Sequence, residues 1–229
     1  MKGTQPDVHV SHSTPLSARK HRWNDRQGQQ AICIHEGSSM ASFSDRARTL
    51  LEFARHVVTD ELPDIVAEHL KVLFCGINPG MTAAATGHHF AGRNNRFWRV
   101  IHLAGFTPEE ISPEHDHAIL KFGCGVTSVV KRPTARADQL SPAEFIAAAA
   151  EFEQKIARRA PRFVAFLGKA AYAGLSGQRN ITWGLQPTRM KGTAIWILPN
   201  PSGRNRAFTL DRLVEAYRQL YAACMYEQC

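Results

Sequence analysis

The chain of 229 residues lacks most of the motifs that announce a chemistry. Its five cysteines include no C-x-x-C pair and no Cys/His group at zinc spacing. A disulfide framework, an iron–sulfur cluster and a zinc site are therefore not expected, and buried thiols in a reducing compartment are. H-E-x-x-H, G-x-S-x-G and G-x-x-x-x-G-K-[ST] are all missing, which argues against a zincin, a serine-hydrolase elbow and a P-loop. No apolar run approaches the ~20 residues of a membrane span. Met1–Pro15 has no apolar h-region, so neither a signal peptide nor a membrane partner is expected, and the location expected is cytoplasmic. Internal repeats and low-complexity tracts are absent. Acidic residues are the scarcer charged class, 20 against 28 Lys and Arg, and the net charge of +8 suits a polyanionic partner.

What is present centres on Val72–Gly80, VLFCGINPG. Val72, Leu73, Phe74 and Cys75 form a short apolar run, the pattern of a strand buried on both faces. It stops at Gly76-Ile77-Asn78-Pro79-Gly80. Pro79 fixes its own φ and biases Asn78 towards an extended backbone, and Gly80 is free to take φ > 0. One polar side chain, Asn78, is thus held at the carboxyl end of a buried strand, where open α/β sheets bind ligands.

Around this stretch the chain alternates. Residues 1–41 read as a basic, disordered tail in which Arg19, Lys20, Arg22 and Arg26 would attract phosphates. Residues 42–61 read as a helical extension with Ser44 as N-cap. Asn94 or Asn95 caps a helix carrying Phe97, Trp98 and Ile101 that Gly105 ends. Thr107-Pro108-Glu109-Glu110 has the form of a capping box and predicts a helix to about Lys121. Ser141-Pro142-Ala143-Glu144 predicts another, to about Arg159. Further strands are expected over Gly125–Val130, Phe163–Leu167 and Ile195–Leu198, and further helices over Lys169–Leu175 and Leu210–Met225. Strands alternating with helices predict an α/β fold with a mainly parallel sheet covered on both faces.

The first turn has an echo: the strand ending at Leu198 runs into Pro199-Asn200-Pro201-Ser202-Gly203. Two parallel strands would then present an asparagine at one edge of the sheet, with the aromatic loop around Phe90 between them. His88-His89 is the one tempting metal pair, but adjacent loop residues rarely share a metal, and no metal is expected.

Five blocks in order, GINPG, GHHFAGRNNRFWRVIHLAGF, CGVTSVVKRPT, LGKAAY and LPNPSGRNR, resemble the mismatch-specific uracil-DNA glycosylases of the Mug and thymine-DNA-glycosylase group. The resemblance runs from Leu62 to Tyr221 and makes residues 62–229 the glycosylase domain. It implies a three-layer α/β/α fold with a short, mainly parallel central sheet. It also implies a monomer without cofactor that excises uracil from G·U-type mispairs in double-stranded DNA, in base excision repair of a bacterial type close to the nucleoid.

The resemblance further assigns roles. Asn78 would hold the attacking water with its amide oxygen, a positioning role because an amide is not a useful base. Asn200 would contact the base or the water; the plainer alternative is that it caps its own turn. Backbone N–H groups near Ile77 and Gly80 would stabilise charge on the leaving base, and Ala83 lies in the same base-binding stretch. Phe90 would stack on a flipped pyrimidine. Ser202, Gly203, Arg204, Asn205 and Arg206 match the loop that fills the gap left by that base, with backbone at Gly203 and Asn205 reading the widowed guanine. Two positions depart from the bacterial pattern: Arg204 stands where leucine is the usual wedge, and Ala83 where some members have serine. Arg93, Arg96, Lys131, Arg132, Lys169 and Arg206 are the candidate phosphate contacts. A protein that binds mispairs without cutting is the alternative from another functional class.

Overall fold

The computed structural model describes residues 61–226; the tail and most of the helical extension expected at 42–61 lie outside the described residues. Within them five strands form one sheet: β1 (Val72–Gly76), β2 (Cys124–Ser128), β3 (Phe163–Leu167), β4 (Gly184–Met190) and β5 (Thr193–Leu198). The order across the sheet is β2-β1-β3-β5-β4. The first four in that order run parallel, and β4 pairs antiparallel with β5. This is the α/β architecture expected.

Alternation along each central strand divides the core in two, because successive strand side chains point to opposite faces. Val72, Phe74, Ala165, Leu167, Trp196 and Leu198 meet helix α2 (Phe97–Leu103) and helix α5 (Leu210–Tyr226) on one face. Phe74 is the hub there, edge-on to Phe97 and Phe106 with both ring centroids at 5.3 Å. Leu73, Cys75, Val164, Phe166, Ile195 and Ile197 meet helix α3 (Pro142–Arg159) and helix α4 (Lys169–Ser176) on the other. A strand apolar on both faces is what two helical layers require, and each fully buried Phe or Ile contributes roughly 1.5–3 kcal/mol. Burial also pushes the Cys75 thiol up, and that of Cys124 to about 12, so both are inert core groups.

The Ser141 capping box forms as expected. The Ser141 N–H donates to Glu144 Oε2 at 2.8 Å, with Pro142 at the first helical position. The Thr107 box does not. Thr107 Oγ1 donates instead to the Glu109 carbonyl at 2.7 Å, and a 3₁₀ segment starts only at Pro113 and runs to Phe122. Pro113 holds Ser112 extended, at ψ 145°, so no helix passes through that position. Strand β4 was not expected either. Its sequence GLQPTRM is polar and carries Pro187, which an edge strand with a register shift between Leu185 and Arg189 tolerates.

At the carboxyl edge of the sheet β1 and β2 continue beyond their ladders. Val129 N–H donates to Gly76 O, and Val130 N–H to Ile77 O at 2.9 Å. The turn after β1 is thereby pinned to the segment after β2. Helix α1 (Met81–Thr86) begins directly behind it.

Candidate active site

The carboxyl ends of β1, β2, β3 and β5 open into a cleft of about 990 Å³. Ile77, Asn78, Gly80, Ala83, Phe90, Asn200 and the whole of Ser202–Arg206 line it. Residues separated by more than a hundred positions are thus brought to one place. Lys131, Arg132 and Lys169 are not among its walls.

Asn78 sits rigidly. Its Nδ2 donates to the Arg132 carbonyl and to Thr134 Oγ1, both at 2.8 Å. A backbone carbonyl only accepts, so the atom facing it must be the nitrogen, and this fixes the amide's orientation without ambiguity. With both N–H groups spent, Oδ1 is left as the acceptor the cleft sees; no donor among the described residues hydrogen-bonds it. Thr134 is buried, and its own N–H donates to Pro79 O at 3.1 Å. No sequence signal singles out Thr134: it lies 56 residues beyond Asn78, at the end of the CGVTSVVKRPT block.

Asn200 is oriented the opposite way. Its Oδ1 accepts the Ser202 N–H at 2.9 Å, the turn-capping alternative, and its carbonyl accepts from Asn205 Nδ2 at 2.8 Å. The Ser202 N–H only donates, so the oxygen is committed and Nδ2 is the atom left for the cleft. Gly168, at φ 109°, ends β3 just beneath; a Cβ there would lie 3.5 Å from that of Asn200.

Gly80 does not use a left-handed backbone. At φ −77° and ψ 156° it is an extended N-cap of α1, and no atom lies within 4 Å of where its Cβ would be. Ala83, buried on α1, forms part of the cleft wall. Phe90 takes φ 57° and rests on Phe97, ring centroids 4.0 Å apart, so it both packs on the core and borders the cleft. Its loop is tied on three sides. The His89 N–H donates to Asp116 Oδ2 at 2.8 Å, Trp98 Nε1 donates to His89 O, and His89 Nε2 meets Pro63 O at 2.8 Å. The Pro63 carbonyl only accepts, so Nε2–H is the donor, and burial lowers the His89 pKa. His89 is therefore a strut; His88 Nδ1 stands 3.8 Å from the same Asp116 carboxylate. Among the described residues no group of three His, Cys, Asp or Glu could hold a metal.

The expected phosphate contacts divide. Arg93, Arg204 and Arg206 border the cleft and are exposed. Lys131 pairs with Glu151 at 2.7 Å. Arg132 pairs with Glu144, Nε to Oε1 at 2.7 Å and Nη2 to Oε2 at 3.1 Å, and also donates to Gln139 O. That bond, with the Ser141 N–H behind it, holds the Glu144 carboxyl down at about 2. Both side chains are thus turned towards α3, and Arg132 serves the site only through its carbonyl, which accepts from Asn78 Nδ2. Lys169 lies over the Trp183 ring, 4.7 Å from its centroid. Arg96 is not a free cation: its guanidinium donates only to backbone carbonyls of the loop after β5.

That loop is pressed against the segment before α2. A Cβ on Gly203 would lie 2.5 Å from Asn94 O, so no side chain fits there. The Asn205 N–H is spent on Ser202 O at 2.9 Å, which leaves Gly203 rather than Asn205 as the backbone donor available to a base edge.

Residues 63–221 match the family model described as the uracil DNA glycosylase superfamily, and the chain belongs to that superfamily. Among solved structures it is similar to a Methanosarcina acetivorans protein described as a candidate uracil DNA glycosylase, solved by solution NMR. The TM-score is 0.50 and the identity 22%, over 70% of this chain and 97% of that one; at that identity the likeness supports the fold. Membership of the superfamily makes a DNA glycosylase, a hydrolase of DNA repair, the class of protein at hand.

Proposed function

We propose that the chain removes uracil, and by extension thymine or modified pyrimidines, from G·U-type mispairs in double-stranded DNA, acting as a monomer. The orientation of Asn78 carries this reading: a fixed amide oxygen with both of its N–H groups engaged, at the carboxyl end of β1. A water held there would attack C1′ of a flipped nucleotide. The C1′–N1 bond breaks, its electron pair leaves with the base, and the proton of the water passes to solvent. Asn200 Nδ2 and backbone N–H groups near Ile77 and Gly80 would stabilise the charge the base gains. Phe90 offers the stacking surface.

The walls of the cleft support hydrolysis by positioning. Among the described residues they include no lysine, the amine a Schiff base with the sugar would need, which favours a monofunctional enzyme. The one wall carboxylate among the described residues, Asp138, is held by Arg136 and lies in the field of Arg204. The test is alkali cleavage after incubation with G·U duplex, A·U duplex and a uracil-bearing single strand. Alkali-labile breaks, fastest at G·U, are expected. Tight binding to G·U without any breaks would replace this reading by a non-cutting mispair binder.

A further inference from the structure

Arg96 was expected to touch phosphate, and the structure gives it a different task. Its guanidinium has five N–H groups. Nε donates to Pro201 O at 3.1 Å, Nη1 to Phe208 O at 2.8 Å, and Nη2 to both Ser202 O and Asn205 O at 3.0 Å. Its backbone N–H also donates to Pro201 O at 3.1 Å. Four carbonyls spread over 201–208 thus converge on one cation. Carbonyls that turn inward towards a common point curl the loop outward around Arg204, which is exposed at the tip.

Two further contacts tie the same loop to the base-stacking ring. Gly203 lies against Asn94, and Phe97, the residue after Arg96, carries Phe90 on its ring. The 94–97 segment therefore sets the loop and the aromatic relative to each other. A lysine cannot replace Arg96, because a single ammonium offers three donors from one point and cannot reach four separate carbonyls.

We propose that Arg96 is a positioning residue that preforms the 201–208 loop for entry into a duplex, acting through that loop and not on the substrate. The proposal rests on the glycosylase reading for its consequence, duplex selectivity, but the clamp itself is testable without it. A loop that is already ordered loses little freedom on inserting, and a single strand has no gap for it to fill. Arg96 should therefore matter for duplex and not for single strand.

The experiment uses the full chain with Arg96→Ala, Arg96→Lys and Gly203→Ala. The last attacks the same loop from the Asn94 side and leaves the guanidinium intact. Amide hydrogen exchange of the free proteins is followed by mass spectrometry. Binding is measured to a duplex with an abasic site opposite guanine and to a single strand of equal length. Exchange is expected to quicken about tenfold or more in peptides covering 201–208, with the sheet unchanged. Abasic-duplex affinity should fall about tenfold in all three variants, and single-strand affinity should stay within about twofold. Equal losses on both DNAs, unchanged exchange at 201–208, or exchange quickened across the whole sheet would each overturn the proposal. Should wild type excise no uracil, the glycosylase reading falls, and the exchange data still decide the clamp.

Discussion

The turn after β1 and the turn after β5 look alike as text and are opposites as chemistry. Each follows a buried parallel strand, and each places an asparagine before a proline. Asn78 spends its nitrogen on Arg132 O and Thr134 Oγ1 and presents an oxygen. Asn200 spends its oxygen on the Ser202 N–H and presents a nitrogen. The difference comes from the neighbours. Beside Asn78 runs the segment after β2, which offers acceptors; beside Asn200 the chain turns on itself and offers an N–H. One residue type thus supplies an acceptor at one turn and a donor at the other, the roles the proposed reading gives to holding a water and to meeting the leaving base. Behind each turn stands an arginine: Arg132 lends its carbonyl to the first, and Arg96 gathers the carbonyls of the second.

The largest way to break the pair is Asn78→Ala. It removes the acceptor and leaves Thr134 Oγ1 and Arg132 O without their donor. The excision step is expected to slow by about 10²–10³ while G·U duplex is still bound. Single-turnover excision beside a binding isotherm checks it, and a near-wild-type rate would falsify the role given to Asn78.

Asn200→Asp sharpens the same comparison at smaller cost. The carboxylate keeps an oxygen for the Ser202 N–H, so the turn should survive, but the donor to the cleft is gone. Loss of one hydrogen bond to a base, on the order of 1 kcal/mol, predicts a slowing of about five- to tenfold, with added repulsion from an anionic leaving base. Asn200→Ala should lose the turn as well and quicken amide exchange around Ser202. If the aspartate variant excises at the wild-type rate, Asn200 only caps its turn.

The parts of this arrangement that could be read in advance are local ones. β1, β3 and β5 are continuous apolar runs, and the two Asn-Pro turns follow them directly. The Ser141 box needs only four consecutive residues and forms as its spacing implies. The rest depends on contacts far along the chain. Nothing near Asn78 names Thr134, and nothing in the GRNNRFW stretch shows that Arg96 meets the loop at 201–208 instead of phosphate. Lys131 and Arg132 read as loop cations because the helix that pairs with them begins only after residue 141. β4 hides because an edge strand needs neither apolar alternation nor freedom from proline. Thr107 misleads because its box competes with Pro113, six residues on.

The smallest expected effect concerns the support behind Asn78. Arg132 presents its carbonyl to Asn78 while its side chain is held by Glu144, whose carboxyl lies at about 2, first through the Arg132 bond and then through the Ser141 N–H. The folded pKa is below the ordinary value of 4.5, so the protein gains stability from this group above pH 4.5 and loses it as pH falls through about 2. The pair is solvent-exposed, so its contribution is screened and small. Glu144→Gln keeps an acceptor for the Ser141 N–H but removes the charge. Its melting temperature should lie slightly below wild type at neutral pH, and the two curves should converge as pH is lowered from 4.5 towards 2. Excision at neutral pH should change less than for either asparagine variant, because Arg132 still donates to Gln139 O and its carbonyl stays close to Asn78. A gap between the melts that stays constant across this window would show that the carboxylate's charge does not hold Arg132 in place.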